Sequence, residues 1–101
     1  MDILHNNVGI GLNDRGPTGI TAEIWDNIFD VNIRAIMLTC KYALPVMREQ
    51  RSGCILNISS IAAICEMGLV SYKASKAALN AYTHTLATGG AKYGILSLIH
   101  I

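Results

Sequence analysis

Long apolar runs, clustered charge and paired cysteines are all missing from this 101-residue sequence, and each absence removes a class of function. The longest apolar stretch, Ala35 to Met47, is broken by Lys41. Nothing reaches the roughly 20 residues that a bilayer-spanning helix needs. No charged opening followed by an apolar core starts the chain, so no secretory leader is expected. Eight basic and seven acidic side chains leave a net charge of +1, with no basic run. Binding to nucleic acid or to an anionic membrane therefore has no electrostatic support. The three cysteines, Cys40, Cys54 and Cys65, are odd in number and far apart. That argues against a disulfide scaffold or a zinc site. Reduced thiols packed as small apolar groups, in a cytoplasmic protein, fit better. Gly9-x-Gly11 lacks the third glycine and the following helix of a phosphate-binding fingerprint. No repeat and no low-complexity segment is present.

What the sequence does have is apolar character, 51% of its residues. A small domain has much surface and little interior, so this richness suggests elements built to be covered by more protein. Ile3-Leu4 is a short apolar stub that stops at Asn6-Asn7-Val8-Gly9, and Asn and Gly end strands. Residues 9–19 carry Gly, Asn and Pro and read as a loop. Thr21 is a plausible N-cap, with Glu23 and Asp26 well placed in the first turns of a helix. Ile24, Ile28, Val31, Ala35, Leu38 and Tyr42 recur at spacings of three and four, which is one helix face. Pro45 is expected to end or kink that helix, and Arg48 to Gly53 reads as a turn. Cys54 to Ile58, between two helices, reads as a buried parallel strand closed by Ser59-Ser60. A second, alanine-rich helix spans Tyr72 to about Lys92, weakened by Gly89-Gly90 at roughly 1 kcal/mol per glycine. Gly94 stops it, and Ile95 to Ile101 reads as a third strand. Strand, helix, strand, helix, strand implies a parallel sheet with right-handed crossovers, an α/β fold.

Four places could carry chemistry. Tyr72 and Lys76 stand at i and i+4, so their side chains are neighbours on a helix. A phenol has a pKa of about 10, and lowering it by about 2 units takes roughly 3 kcal/mol. An adjacent ammonium group supplies such an interaction. Taken alone, this spacing equally describes two surface residues. Ser59 and Ser60 lie just past the carboxyl end of a parallel strand, the edge where open α/β sheets bind ligands. A hydroxyl there can donate to a substrate carbonyl, or simply satisfy a turn. Asn32 lies on the apolar stripe, and a buried amide must find partners. Those partners are either an ordered water in a proton path or a neighbouring backbone. Asn6-Asn7-Val8-Gly9 ends another strand, and there Gly9 either lets a cofactor approach the backbone closely or belongs to an ordinary strand-ending turn.

Asp2-Ile3-Leu4 running into Asn6-Asn7-Val8-Gly9, Trp25 with Asn32 seven residues on, Asn57-Ile58-Ser59-Ser60, and Tyr72-Lys73-Ala74-Ser75-Lys76-Ala77-Ala78 occur in this order. As a set they closely resemble the classical short-chain dehydrogenase/reductase family, over about residues 1–95. The resemblance implies an internal fragment of a doubly wound Rossmann-type parallel sheet, its strand 4-5-6 half. It implies hydride transfer between NAD or NADP and an alcohol or ketone. Tyr72 would be the general acid/base, and Lys76 would tune it and hold the nicotinamide ribose. Ser60 would polarise the carbonyl, and Asn32 would hold a water linking Lys76 to solvent. Asn7 and Gly9, with Tyr72 and Lys76, would border the cofactor. Ser60 stands twelve residues before Tyr72, one fewer than the family's spacing, which Ser59 keeps. Alignment with the strand end favours Ser60.

The family's glycine-rich turn and its NAD/NADP-discriminating residue are not in the sequence. After Tyr93-Gly94-Ile95 the usual Arg-Val-Asn and Pro-Gly give way to Leu96-Ser97-Leu98-Ile99-His100-Ile101. Residues 96–101 are therefore expected to be foreign to the family, and the chain alone to be inactive. In such proteins the two long helices pack against a second subunit as a homo-oligomer, so Ile36, Met37, Cys40 and Tyr82 are expected on that face. A non-catalytic dimerisation module, or an inactive gene fragment, is the competing reading.

Overall fold

In a computed structural model, which describes residues 2–6, 9–11, 13–60 and 68–100, the three apolar runs pair as one parallel sheet. The strands are β1 (Ile3–Asn6), β2 (Gly53–Ile58) and β3 (Ile95–His100), in the spatial order β1-β2-β3. Ile3 stands opposite Cys54 and Cys54 opposite Leu96; Asn6 stands opposite Asn57 and Asn57 opposite Ile99. Successive residues of a strand point to opposite faces. Leu4, Asn6, Ile55, Asn57, Ile95 and Ser97 therefore share one face. That face carries the core, which joins Ile55 and Ile95 to Ile36, Cys40, Met47, Leu79 and Leu86 from the helices. The opposite face leaves Ile3, Leu96 and Leu98 exposed.

Between β1 and β2 the chain is helical from Ala22 to Gln50, but not uniformly so. Helix α1 (Ala22–Phe29) starts where the sequence places it, with Thr21 Oγ1 accepting from the Ile24 N–H at 3.2 Å. Asp30–Arg34 then form a π turn, in which the Ala35 N–H donates to Asp30 O five residues back. Helix α2 (Ala35–Gln50) follows. The wide turn changes which residues face the core. A uniform helix would bury Leu38 and Tyr42, yet these are 38% and 74% exposed. Ile28, Asn32, Ile36, Cys40, Ala43 and Met47 are buried instead, the first four spaced by four residues across the π turn. The outward side of α2 exposes the large apolar side chains Met37, Leu38, Tyr42 and Val46. Ile36 and Cys40 thus belong to the chain's own core rather than to an outward contact face.

Pro45 does not end this helix; it sits inside α2. Proline removes one helical hydrogen bond, freeing the carbonyl four residues earlier. Here that residue is Lys41, and both it and Pro45 are exposed, so water can satisfy the carbonyl. Arg51, in the left-handed conformation at φ 57°, caps the helix.

Helix α3 (Val70–Gly90) connects β2 to β3 and runs into a short 3-10 turn, Ala91–Tyr93. Gly94 ends it at φ 72°, and a Cβ there would lie 2.6 Å from Arg51 O. Only glycine meets both demands. None of the described helices is long and apolar enough to cross a membrane.

A polar ladder crosses the covered face near the carboxyl ends of the strands. Asn6 Nδ2 donates to Asn57 Oδ1 at 2.8 Å, and Asn57 Nδ2 donates to Thr83 Oγ1 at 3.0 Å. Ser97 Oγ donates to Thr83 O at 3.2 Å. The ladder ties β1, β2, β3 and α3 together with directional bonds where the apolar core stops. Beside it, Cys40 packs in the core, and burial pushes its thiol pKa up. Burial, with Cys40 alongside, pushes the Tyr82 phenol up to about 12. Cys65 lies outside the described residues.

The shift of the stripe gives a direct check. Ile36→Ala should cost about 2–5 kcal/mol of stability and Leu38→Ala less than about 1 kcal/mol. Urea unfolding of the two variants measures both.

Candidate active site

The first turns of α3 stand at the carboxyl edge of β1 and β2, and there the separate sequence signals converge. Tyr72 is the third residue of α3 and is half-buried. Lys76, one turn later, is only 2% exposed. Its ammonium donates to the carbonyl of Ile58, the last residue of β2, at 3.0 Å, and lies 5.8 Å from the centre of the Tyr72 ring. Burial holds the Lys76 pKa below the ordinary 10.5.

The segment leaving β1 fits around these two side chains because it carries glycine. A Cβ on Gly9 would come within 2.8 Å of Lys76 Nζ, and one on Gly11 within 3.2 Å of Tyr72 Cδ1. The reason for glycine is space, since neither residue has a positive φ. Asn7 lies outside the described residues.

Asn32, in the π turn, is completely buried and fully bonded to protein on its donor side. Its Oδ1 accepts from the Ile10 N–H at 2.7 Å, and its Nδ2 donates to Ile10 O at 2.9 Å. The same Nδ2 donates to Ser75 Oγ at 2.9 Å, and Ser75 Oγ donates to Tyr72 O at 2.9 Å. Asn32 therefore joins the Gly9–Gly11 segment to α3 between Tyr72 and Lys76. Of the two partnerships open to a buried amide at this position, the structure contains the bond to a neighbouring backbone.

Ser59 and Ser60 part company. The Ser59 N–H donates to His100 O at 2.7 Å, extending the sheet, and the residue is buried. Ser60 is half-exposed, two residues past the carbonyl that holds Lys76.

Among the described residues no group of three metal-ligating side chains occurs. What assembles at one sheet edge is a phenol, a buried ammonium and a glycine-bearing segment packed against both, with Ser60 just past the end of β2. Such a set can exchange a proton with a substrate oxygen and hold polar hydroxyls.

A profile of the short chain dehydrogenase family matches residues 1–99. The chain belongs to that family. It is 35% identical over 96 residues to the cyclopentanol dehydrogenase of Comamonas sp., covering 94% of this chain and 38% of that enzyme. It is 38% identical over 98 residues to the peroxisomal hydratase-dehydrogenase-epimerase of Neurospora crassa, covering 96% of this chain and 11% of that protein. Among solved structures, ElxO with NADP bound superposes with a TM-score of 0.91 at 31% identity, over 97% of this chain and 40% of ElxO. A short-chain dehydrogenase/reductase family oxidoreductase from Burkholderia thailandensis gives 0.91 at 26% identity, over 98% of this chain and 39% of that one. The chain thus spans about two fifths of the cyclopentanol dehydrogenase and of the two solved structures, and about a ninth of the Neurospora protein, as one end of a Rossmann-type parallel sheet.

Sequence reasoning missed one participant. Asp14 is 5% exposed, and its carboxylate accepts hydrogen bonds from the backbone of Tyr72 and Ser71. Burial alone would raise its pKa, but hydrogen bonds from Tyr72, Arg15 and Ser71 outweigh that and leave it below the ordinary 3.8. An acid in a loop rich in Gly, Asn and Pro looks like turn chemistry. The available signal was at the other end, since Leu69, which precedes α3, is no helix cap.

The buried ammonium has a thermodynamic consequence. With the folded-state pKa of Lys76 below 10.5, the unfolded chain binds more protons between the two values, so stability rises with pH across that window. The cost of burying the charge is complete below the folded pKa and gone above 10.5. Lys76→Met should therefore raise the urea midpoint at pH 7, and the advantage should shrink as pH approaches 10.5.

Proposed function

We propose that this chain carries the catalytic edge of an NAD(P)-dependent oxidoreductase that interconverts an alcohol and a ketone. The observation that carries the reading is the convergence of Tyr72, Lys76 and Gly9 at the carboxyl ends of β1 and β2. In this reading Tyr72 Oη takes the proton of the alcohol hydroxyl on oxidation and returns it to the carbonyl oxygen on reduction. The Lys76 ammonium stabilises the negative charge that this exchange places on the tyrosine oxygen. The Ser60 hydroxyl donates to the substrate oxygen and orients it. Asn32 holds the Gly9–Gly11 segment against α3, and its oxygen retains a lone pair for a water between Lys76 and solvent.

A nicotinamide cofactor would supply the hydride acceptor or donor. The chemistry of the donor set fits its ribose end: Lys76 offers an ammonium to hydroxyls, and Gly9 keeps the neighbouring backbone bare. The pyrophosphate end finds no such fit, because no glycine-rich strand-to-helix turn occurs in the sequence. The chain by itself should therefore turn over little or not at all. Its substrate is a small molecule, and the complete enzyme is a homo-oligomer. The exposed Met37, Leu38, Tyr42 and Val46 of α2 are the observation favouring that second role, a surface for another subunit.

The test is to replace the matching segment of the cyclopentanol dehydrogenase relative by residues 1–99. The chimera should bind NAD(P)H and transfer hydride, and Tyr72→Phe should reduce kcat by about 10²–10⁴-fold. A chimera that dimerises without binding the dinucleotide would favour a non-catalytic dimerisation module. Undiminished turnover with phenylalanine at position 72 would remove Tyr72 from the reaction.

A further inference from the structure

Helix α3 begins without a cap of its own, and what replaces the cap lies more than fifty residues away in sequence. The first N–H groups of any helix lack partners inside it. Leu69, the N-cap residue, has no side-chain acceptor to offer. Instead the Val70 N–H donates to Arg15 O at 3.0 Å, the Ser71 N–H to Asp14 Oδ1 at 3.2 Å, and the Tyr72 N–H to Asp14 Oδ2 at 2.8 Å. The Arg15 N–H also donates to Asp14 Oδ1 at 2.9 Å, which orients the carboxylate. A negative charge at a helix N-terminus gains further from the helix dipole. The same loop touches the tyrosine from a second side. The Asp14 N–H donates to Gly11 O at 3.2 Å, and Gly11 packs so closely on the ring that a Cβ would stand 3.2 Å from Tyr72 Cδ1.

We infer that Asp14 is a positioning residue for Tyr72: by capping α3 from the loop after β1, and with Gly11 against the ring, it fixes where the phenol stands relative to the Gly9–Gly11 segment. A local cap at residue 69 would start the helix equally well but would not tie its third residue to that loop. The inference rests on the reading of Tyr72 as the acid/base, since only then does its placement affect the reaction.

The experiment separates helix capping from ring placement and needs neither cofactor nor substrate. Tyrosine ring carbons are labelled in the full 101-residue chain, and the Tyr72 signal is assigned with Tyr72→Phe. Asp14→Ala should lower the amide-exchange protection of Ser71 and Tyr72 about tenfold. It should also lower the melting temperature and displace the Tyr72 ring resonance, while those of Tyr42 and Tyr93 stay in place. Adding Leu69→Asp to Asp14→Ala restores a local cap. That double variant should recover the melting temperature and the amide protection with the Tyr72 resonance still displaced. An unmoved ring signal in Asp14→Ala, or its return to the original position in the double variant, would overturn the inference. Should Asp14→Ala not fold, Gly11→Ala tests the same cradle with the cap intact: the Tyr72 ring signal must move while both amides keep their protection. An unmoved ring there would equally overturn it. Full turnover by a Tyr72→Phe chimera would defeat the acid/base reading and leave this coupling standing.

Discussion

One carboxamide holds the candidate site together. Asn32 is completely buried, where an unsatisfied amide would cost on the order of 1–3 kcal/mol. Its three hydrogen bonds, to the N–H and carbonyl of Ile10 and to Ser75 Oγ, bind the segment leaving β1 to the first turns of α3. Gly9 then lies against Lys76 and Gly11 against Tyr72. The clamp joins the segment after β1 to α3, the helix that carries both Tyr72 and Lys76. The π turn is part of the same device. Such turns are rare and often occur at functional sites, and this one keeps Asn32 in line with the buried residues of both α1 and α2.

Much of this was readable in the residues, and the reasons for the exceptions are physical. The three strands and two helical stretches follow from apolar runs and helical periodicity, because burial enforces both. Asn32 stood out as a polar residue on an apolar stripe, which is what an interior clamp looks like in sequence. Tyr72 and Lys76 share a helix face, and the structure puts both at the strand ends. The later half of the long helix was misread. Periodicity assumes one pitch, and the π turn changes it, so Leu38 and Tyr42 were expected inside where Ile36, Cys40 and Met47 belong. Pro45 reads as a stop or a kink; it does not stop the helix, because a lost hydrogen bond on the solvent side is tolerable. Asp14 and Gly11 could not have been found from spacing, because their partners are in α3 and only the tertiary fold brings them near.

The site also works against stability, as functional sites commonly do. An ammonium is held almost completely out of water, glycine replaces residues that would stiffen the chain, and asparagine and serine occupy interior positions beside a hydrophobic core. The polar ladder from Asn6 through Asn57 to Thr83 compensates locally by fixing the strand ends and α3 in one register. On the far side of the sheet, Ile3, Leu96 and Leu98 are exposed. The chain spans about two fifths of the cyclopentanol dehydrogenase and of ElxO.

The dependence of the whole edge on Asn32 can be measured directly. Amide exchange at Ile10 and the dispersion of the Lys76 side-chain signals, followed by NMR in the original chain and in Asn32→Ala, report the clamp and its consequence together. The account predicts that Ile10 loses protection by about tenfold or more, and that the Lys76 signals move as its cover at Gly9 loosens. An Asn32→Ala chain with Ile10 still protected and Lys76 unchanged would contradict it, and would mean that packing alone assembles the site.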